Sequence, residues 1–278
     1  MTGTDPRADL IVLGGAPSAI DYLRDVWNRR EYAIEVPLSS VRAAHMNTLL
    51  GNLWHVINPL LLVGVYYLVF GVIIGTDRGI DNFLAFLAIG VFTFRFTQNA
   101  VQNCAGSIVG NDGLIRSIYF PRAILPLSVV VEQLLVLAPA VVVLLIITVL
   151  TGQPPMLSWL VIPAVFLLQA AFSLGAGFIA ARVTDTFRDF QNLLPFVFRI
   201  LFYLSGVLYS VDRYVESESL RRLFHANPMF AFITLARWAL LGEPLPGSVL
   251  LSAVAWTAVL LTGGFLFFKA AEARYGRG

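Results

Sequence analysis

The stretch Asn111-Asp-Gly-Leu-Ile-Arg-Ser-Ile-Tyr-Phe-Pro-Arg-Ala-Ile-Leu-Pro126 is a short polar connector between two long apolar segments. Ile115, Ile118 and Tyr119 recur at helical spacing beside Arg116 and Arg122, while Pro121 and Pro126 forbid a long continuous helix. The pattern predicts a short amphipathic helix lying at a membrane surface. Two arginines on such a connector place it on the cytoplasmic side by the positive-inside rule, where a soluble partner can reach it.

Outward from this connector the chain is apolar. Of 278 residues, 58% are hydrophobic and 13% charged, and several uncharged runs exceed the ~18 residues of a membrane span. The reading is an all-α integral membrane protein with six transmembrane helices. A net charge of +2 is too small to argue for nucleic acid, and Cys104, the single cysteine, excludes a disulfide framework within the chain. The first 50 residues are mixed-charge and polar, without the apolar core of a signal peptide, so insertion is expected to rely on the first span.

Residues 1–20 read as a flexible cytoplasmic tail and 21–54 as cytoplasmic interfacial helices. In the first of these, Tyr22, Leu23, Val26 and Trp27 share one face and Arg24, Asp25, Asn28 and Arg29 the other. After Pro37, Ser39 or Ser40 is expected to cap a second helix leading towards the bilayer. The transmembrane domain covers 55–269, with spans near 56–75, 83–109, 124–150, 156–181, 190–209 and 245–268, a tight outer turn at Thr76–Asp81, and a tail at 270–278. Six crossings put both termini in the cytoplasm. The short inner segments hold Arg116, Arg122, Arg182, Arg188, Lys269, Arg274 and Arg277, against Arg78 alone in the short outer loops. Ser210–Pro244 is the exception, with Arg213, Arg221, Arg222 and Arg237. Its two amphipathic pieces, Ser219–Ala226 and Pro228–Leu241, are each too short to cross a core of ~30 Å at ~1.5 Å per residue. They read as a re-entrant or surface hairpin on the far face, broken at Asn227-Pro228; a folded outer loop fits the pattern equally.

Polar residues inside spans are costly against lipid and should face a cavity or a partner. Arg95, Gln98, Asn99, Gln102 and Asn103 fall at i, i+3, i+4, i+7 and i+8, so they share one face of the second span. Glu132 and Arg199 both sit about nine residues from the inner ends of their spans, ~14 Å deep. Glu132 is expected to neutralise Arg199 or Arg95, as a structural pair or as part of a path. Tyr66, Tyr67 and Phe70 in the first span and Phe198, Phe202, Tyr203 and Tyr209 in the fifth offer faces that stack on sugar rings and equally suit core or belt. Gly71 and Gly75 fit a small-xxx-small helix contact.

Lys269 is the only lysine and follows no Gly-x-x-x-x-Gly frame, so no P-loop can hold ATP phosphates. Any ATP must be bound by another subunit. His45, His55 and His225 are scattered without metal-ligand spacing. A membrane glycosyl- or acyltransferase would need a carboxylate or histidine constellation that the pattern lacks, and an ATPase-independent carrier or channel would use the Arg95 stripe as its permeation path.

Further residues carry a resemblance. They are Leu50-Gly-Asn-Leu-Trp54, Asn58-Pro-Leu-Leu61, Val69-Phe-Gly71, Ser107-Ile-Val-Gly-Asn-Asp-Gly-Leu-Ile115, Tyr119-Phe-Pro-Arg122, Thr186-Phe-Arg-Asp189, Phe202-Tyr-Leu-Ser205, and Asn227-Pro228 followed by Arg237. In this order they resemble the membrane subunits of ABC-2 type polysaccharide exporters, the permeases for O-antigen, teichoic acid and galactan. The resemblance implies a homodimeric transport subunit, not an enzyme, in the bacterial inner membrane. Two copies of a cytoplasmic nucleotide-binding ATPase would carry ATP and Mg. It implies a coupling helix through Asp112, Ile115, Arg116, Tyr119, Phe120 and Arg122, with a second contact at Arg188 and Asp189. Asn227, Pro228 and Arg237 would belong to gate helices, and the glycan, linked to polyprenyl pyrophosphate, would pass Tyr66, Tyr67, Phe70, Arg95, Gln98, Asn99, Gln102, Phe198, Arg199, Phe202 and Tyr203. On this basis Phe120→Asp or Arg122→Glu is expected to uncouple ATP hydrolysis from export while leaving insertion intact. Ser39–Asn52 departs from many relatives in carrying only Arg42 where they are markedly basic. Eighteen arginines against one lysine suggest a GC-rich coding sequence, which with the resemblance points to a lipid-linked galactan.

Overall fold

Apolar runs in hydrocarbon must satisfy every backbone group internally, and helices are the local solution. A computed structural model describes residues 19–43, 53–75, 80–211, 217–272 and 275; the expected tail at 1–18, the outer turn at 76–79 and segments 44–52 and 212–216 lie outside them. The described elements are α1 (Ala19–Asn28), α2 (Arg30–Ala43), α3 (Trp54–Tyr66, continued as a π-helix to Ile73), α4 (Phe83–Gly106), α5 (Asp112–Ser117), α6 (Ile124–Leu150), α7 (Ile162–Thr186, led in by a 3-10 turn from Leu157), α8 (Phe190–Tyr203), α9 (Glu218–Ala226), α10 (Pro228–Leu241) and α11 (Gly247–Lys269).

The helix α4 is the central post. Of its apolar stretch 78% is inside the protein, against 39% or less for the other four helices that are long and apolar enough to cross a membrane. Around it pack α3, α6, α7, α8 and α10, and α7 in turn carries α11. The interface of α7 with α11 is tight because Gly175 and Gly264 meet backbone to backbone: a Cβ on either would collide with main-chain atoms of the other helix. The expected contact at Gly71 and Gly75 is not of this kind, since Gly71 faces the Phe83 ring and Gly75 faces open space.

Two expectations are corrected. The chain does not restart at Ser39 or Ser40; α2 runs from Arg30 through Pro37, and the Ser39 hydroxyl donates to the Val36 carbonyl instead of capping. The buried pair Ala33 and Pro37 sits one turn apart, which lets α2 lie close along α6. The fifth expected span is also not one helix. Among the described residues five helices have spanning length, but α8 has 14 residues, ~21 Å against a core of ~30 Å. Helical geometry ends at Leu204, Gly206 adopts a φ of 62°, and the chain continues as buried irregular backbone through Ser205, Val207 and Leu208.

Candidate functional site

The connector folds as α5, six residues whose Asp112 and Arg116 pair at 2.8 Å on the exposed side. Its named residues divide by direction. Ile115 and Phe120 are each 7% exposed and pack inward in a cluster with Tyr22, Ile108, Phe178, Phe268 and Tyr275. Tyr119 is 81% exposed, with Ile118 beside it. Arg188 and Asp189 are exposed at the end of α7, and Asp185 lies within electrostatic reach of Asp112, Arg122 and Arg188, so the two connectors are neighbours. Phe120 is thereby removed from the exposed lever. Its ring lies 6.3 Å from that of Tyr32 on α2, and a charge there would be buried without a partner.

The connector is clasped from behind. The Tyr22 hydroxyl donates to Glu272 Oε1 at 2.8 Å and accepts from the Ala123 amide at 3.1 Å, while the Arg122 amide donates to the same Glu272 oxygen at 3.1 Å. Side chains from both ends of the chain thus satisfy backbone donors at the start of α6, which no intrahelical carbonyl can reach. Burial pushes the Glu272 carboxyl up, offset in part by the Arg122 amide and the Tyr22 hydroxyl, and burial pushes the Tyr22 phenol up as well. Arg29 adds a hydrogen bond to the Tyr119 carbonyl at 3.1 Å. Glu272→Ala leaves the Arg122 amide and the Tyr22 hydroxyl short of an acceptor at ~1–3 kcal/mol each, and frees the ring whose hydroxyl accepts from the Ala123 amide. The expected result is hydrogen exchange in α1 and at Arg122 and Ala123 faster by roughly tenfold or more; wild-type protection there would show that α1 is held by something else.

The α4 stripe is real in position but mixed in depth: Arg95, Gln98, Asn99 and Gln102 are half-buried and Asn103 exposed. The expected ion pair is corrected. Glu132 makes none with Arg95 or Arg199; it is Gln133, one residue or ~100° further round α6, that is buried and faces Arg95 and Asn99 across a crevice. Arg199 points the other way, on the exposed face of α8 with Phe196, Ile200 and Tyr203. The aromatic set divides likewise. Phe198 and Phe202 are core, against Phe94 at 6.1 and 5.1 Å, and Phe202 stacks near Tyr66 at 5.5 Å. Tyr66 and Phe70 are half-buried and Tyr67 and Tyr203 exposed, with Tyr66 in electrostatic reach of Tyr203 and Arg95.

At the opposite end from α5, the hairpin of α9 and α10 breaks at Asn227-Pro228. Asn227 Oδ1 accepts from the Met229 amide at 2.9 Å, and its Nδ2 donates to the Leu204 carbonyl and Ser205 Oγ at 3.0 and 3.1 Å. Pro228 occupies the first helical position, where no N–H is needed. Helix α10 is no surface piece: it is buried among α4, α7 and α11. Arg237, 3% exposed, donates to the carbonyls of Gly206 and Val207 at 3.0 Å and of Phe86 at 3.3 Å, with its guanidinium 3.2 Å over the Phe86 ring. Gly90 on α4 leaves it room, since a Cβ there would stand 2.9 Å from the guanidinium. Arg237 is therefore what replaces helical donors for the irregular segment after α8, as non-helical backbone at membrane depth requires. Beside it opens a cavity of about 310 Å³ that includes Asp81, Asn82, Gln153, His225 and Glu243.

Residues 40–241, from the end of α2 to the end of α10, match the family described as ABC-2 type transporter. The chain belongs to that family. An O-antigen export system permease protein RfbA of Myxococcus xanthus is 30% identical over 243 residues, 87% of this chain and 92% of its own length. A Klebsiella pneumoniae protein of the same name is 28% identical over 69% of this chain and 73% of its own length. The polysialic acid transport protein KpsM of Escherichia coli is 24% identical over 84% and 91%. As an ABC-2 family member the chain is a multi-pass membrane protein, and its matched region contains the α5 connector, the α4 stripe and Arg237. Tyr22 and Glu272 fall outside the match. Their clasp had no sequence signal: the two residues are 250 positions apart and neither belongs to a motif.

Proposed function

We propose that this chain is the permease subunit of an exporter moving a lipid-linked cell-envelope polysaccharide from the cytoplasm across the bacterial inner membrane. The observation that carries this reading is the 30% identity to an O-antigen export permease over 92% of that protein's length. Two copies would assemble with two copies of a nucleotide-binding ATPase that holds ATP and Mg. An arginine facing lipid is costly, so the face of α8 with Arg199 and Tyr203, together with Tyr66, Gln98 and Gln102, is assigned to the seam between copies where the glycan passes. The connector end faces the cytoplasm with both termini, and Tyr119, Arg188 and Asp189 meet the ATPase. ATP-driven closure then moves α5, α1 and the base of α6 as one clasped unit, and the hairpin closes the far end. The carrier is a polyprenyl pyrophosphate and the glycan a galactan.

Tyr119→Glu tests the lever. In vesicles holding both subunits, export per ATP hydrolysed is expected to fall by about tenfold or more, equivalent to ~1.4 kcal/mol of lost coupling, with an unchanged unfolding midpoint. Phe120→Asp should instead lower the midpoint. Normal export by Tyr119→Glu sinks the lever assignment. Cells depleted of the protein should accumulate lipid-linked galactan inside; accumulation of another glycan overturns the cargo alone.

A further inference from the structure

A crevice of about 140 Å³ opens between α3, α4 and α6, walled by His55 and Asn58 from α3, Arg95 and Asn99 from α4 and Gln133 from α6. Among the described residues no acidic side chain lines it. Gln133 is 8% exposed, yet its amide has no hydrogen-bond partner among the described residues, and Arg95 likewise has neither carboxylate nor hydrogen-bond partner among them. An amide and a half-buried guanidinium without a protein partner both line one small space, where a polar ligand or solvent must meet them. The remaining wall is apolar, with Phe92, Phe96, Val136 and Leu137.

The level of the crevice narrows the ligand. Helix α3 begins at Trp54, an interfacial residue type, and needs its 20 residues to Ile73, ~30 Å, to cross the core. Helix α6, with 27 residues, is ~40 Å long and overshoots. Gln133 and Arg95 lie nine and eleven residues from the inner ends of α6 and α4 but level with the first turn of α3, so the crevice runs inward from the rim of the hydrocarbon, where a long arginine side chain can reach a lipid phosphate.

We propose that this crevice binds the phosphate of a membrane lipid, with Arg95 pairing the oxyanion, Gln133 and Asn99 donating amide hydrogens, and the lipid tail lying on the apolar wall. This goes beyond the export reading and does not depend on the cargo. It separates Arg95 and Asn99, which turn towards α3 and α6, from the glycan path assigned to the α8 side.

The full-length protein in detergent, examined by native mass spectrometry, is offered phosphatidylglycerol, decaprenyl phosphate or diacylglycerol. Wild type is expected to retain either phospholipid at least tenfold better than diacylglycerol, which has the tails without the phosphate. Gln133→Glu is isosteric and puts an anion in the crevice; with Arg95→Gln it should lower retention by about tenfold or more, as loss of one charge-assisted hydrogen bond implies. Arg95→Lys should keep most of it. Preference for phosphatidylglycerol assigns the site to bulk lipid and preference for decaprenyl phosphate to a carrier lipid, and both support the proposal. Equal retention by wild type and Gln133→Glu, equal binding of diacylglycerol, or full competition by millimolar inorganic phosphate overturns it.

Discussion

Arg237→Met is expected to unfold this protein at a markedly lower temperature than wild type, because one side chain supplies donors to three carbonyls on two separate segments. Gly206 and Val207 lie in the irregular stretch after α8, and Phe86 in the first turn of α4. Methionine fills similar volume but donates nothing. The Phe86 carbonyl keeps its helical partner, the Gly90 amide, but those of Gly206 and Val207 are left buried and unpaired at ~1–3 kcal/mol each, so a loss of about 2 kcal/mol or more is expected. Lysine keeps the charge on a single nitrogen and cannot span the same three acceptors with a planar fork, so Arg237→Lys should fall between. The measurement is the unfolding midpoint of the purified protein in detergent. A midpoint for Arg237→Met within about 2 °C of wild type, less than ~1 kcal/mol, would mean that those carbonyls have other donors.

The second large effect comes from two adjacent glycines. A Cβ at Gly264 would collide with the Gly175 carbonyl, whereas one at Gly263 meets nothing within 4 Å. Gly264→Ala must therefore push α11 off α7, and backbone atoms, unlike a side-chain end, have no other rotamer to adopt. Overpacking typically costs ~1–3 kcal/mol, and this site belongs at or above the top of that range. Gly263→Ala removes a poor helix former at no steric cost and should be neutral or stabilise by up to ~1 kcal/mol. Equal unfolding midpoints and equal monodispersity for the two alanine variants would refute the close crossing.

The contrast between α4 and α6 shows why some of the candidate site was legible and some was not. Five polar residues mark one face of α4, so its rotation could be read from spacing alone. Helix α6 is apolar nearly all round, so its sequence carries no phase. The charged Glu132 drew the inward assignment when its neighbour Gln133 holds it. Phe120 was misread for a related reason: the short amphipathic connector from Asp112 to Arg122 does not say which of its apolar members meets the protein and which meets a partner.

By itself the sequence determined the helical class, the positions of the five long helices, the break of the hairpin at Asn227-Pro228 and the short amphipathic connector after α4, because each depends on apolar length or local turn chemistry. Only the tertiary structure decided that the span expected at 190–209 stops short, that Gly175 and Gly264 set the helix crossing, and that Tyr22 and Glu272 clasp the connector. In each of these, the deciding partner is a backbone carbonyl, a backbone surface or a side chain tens to hundreds of residues away. A local pattern reports how a segment satisfies its own hydrogen bonds and which face it buries; which distant atom completes that face is set when the helices pack.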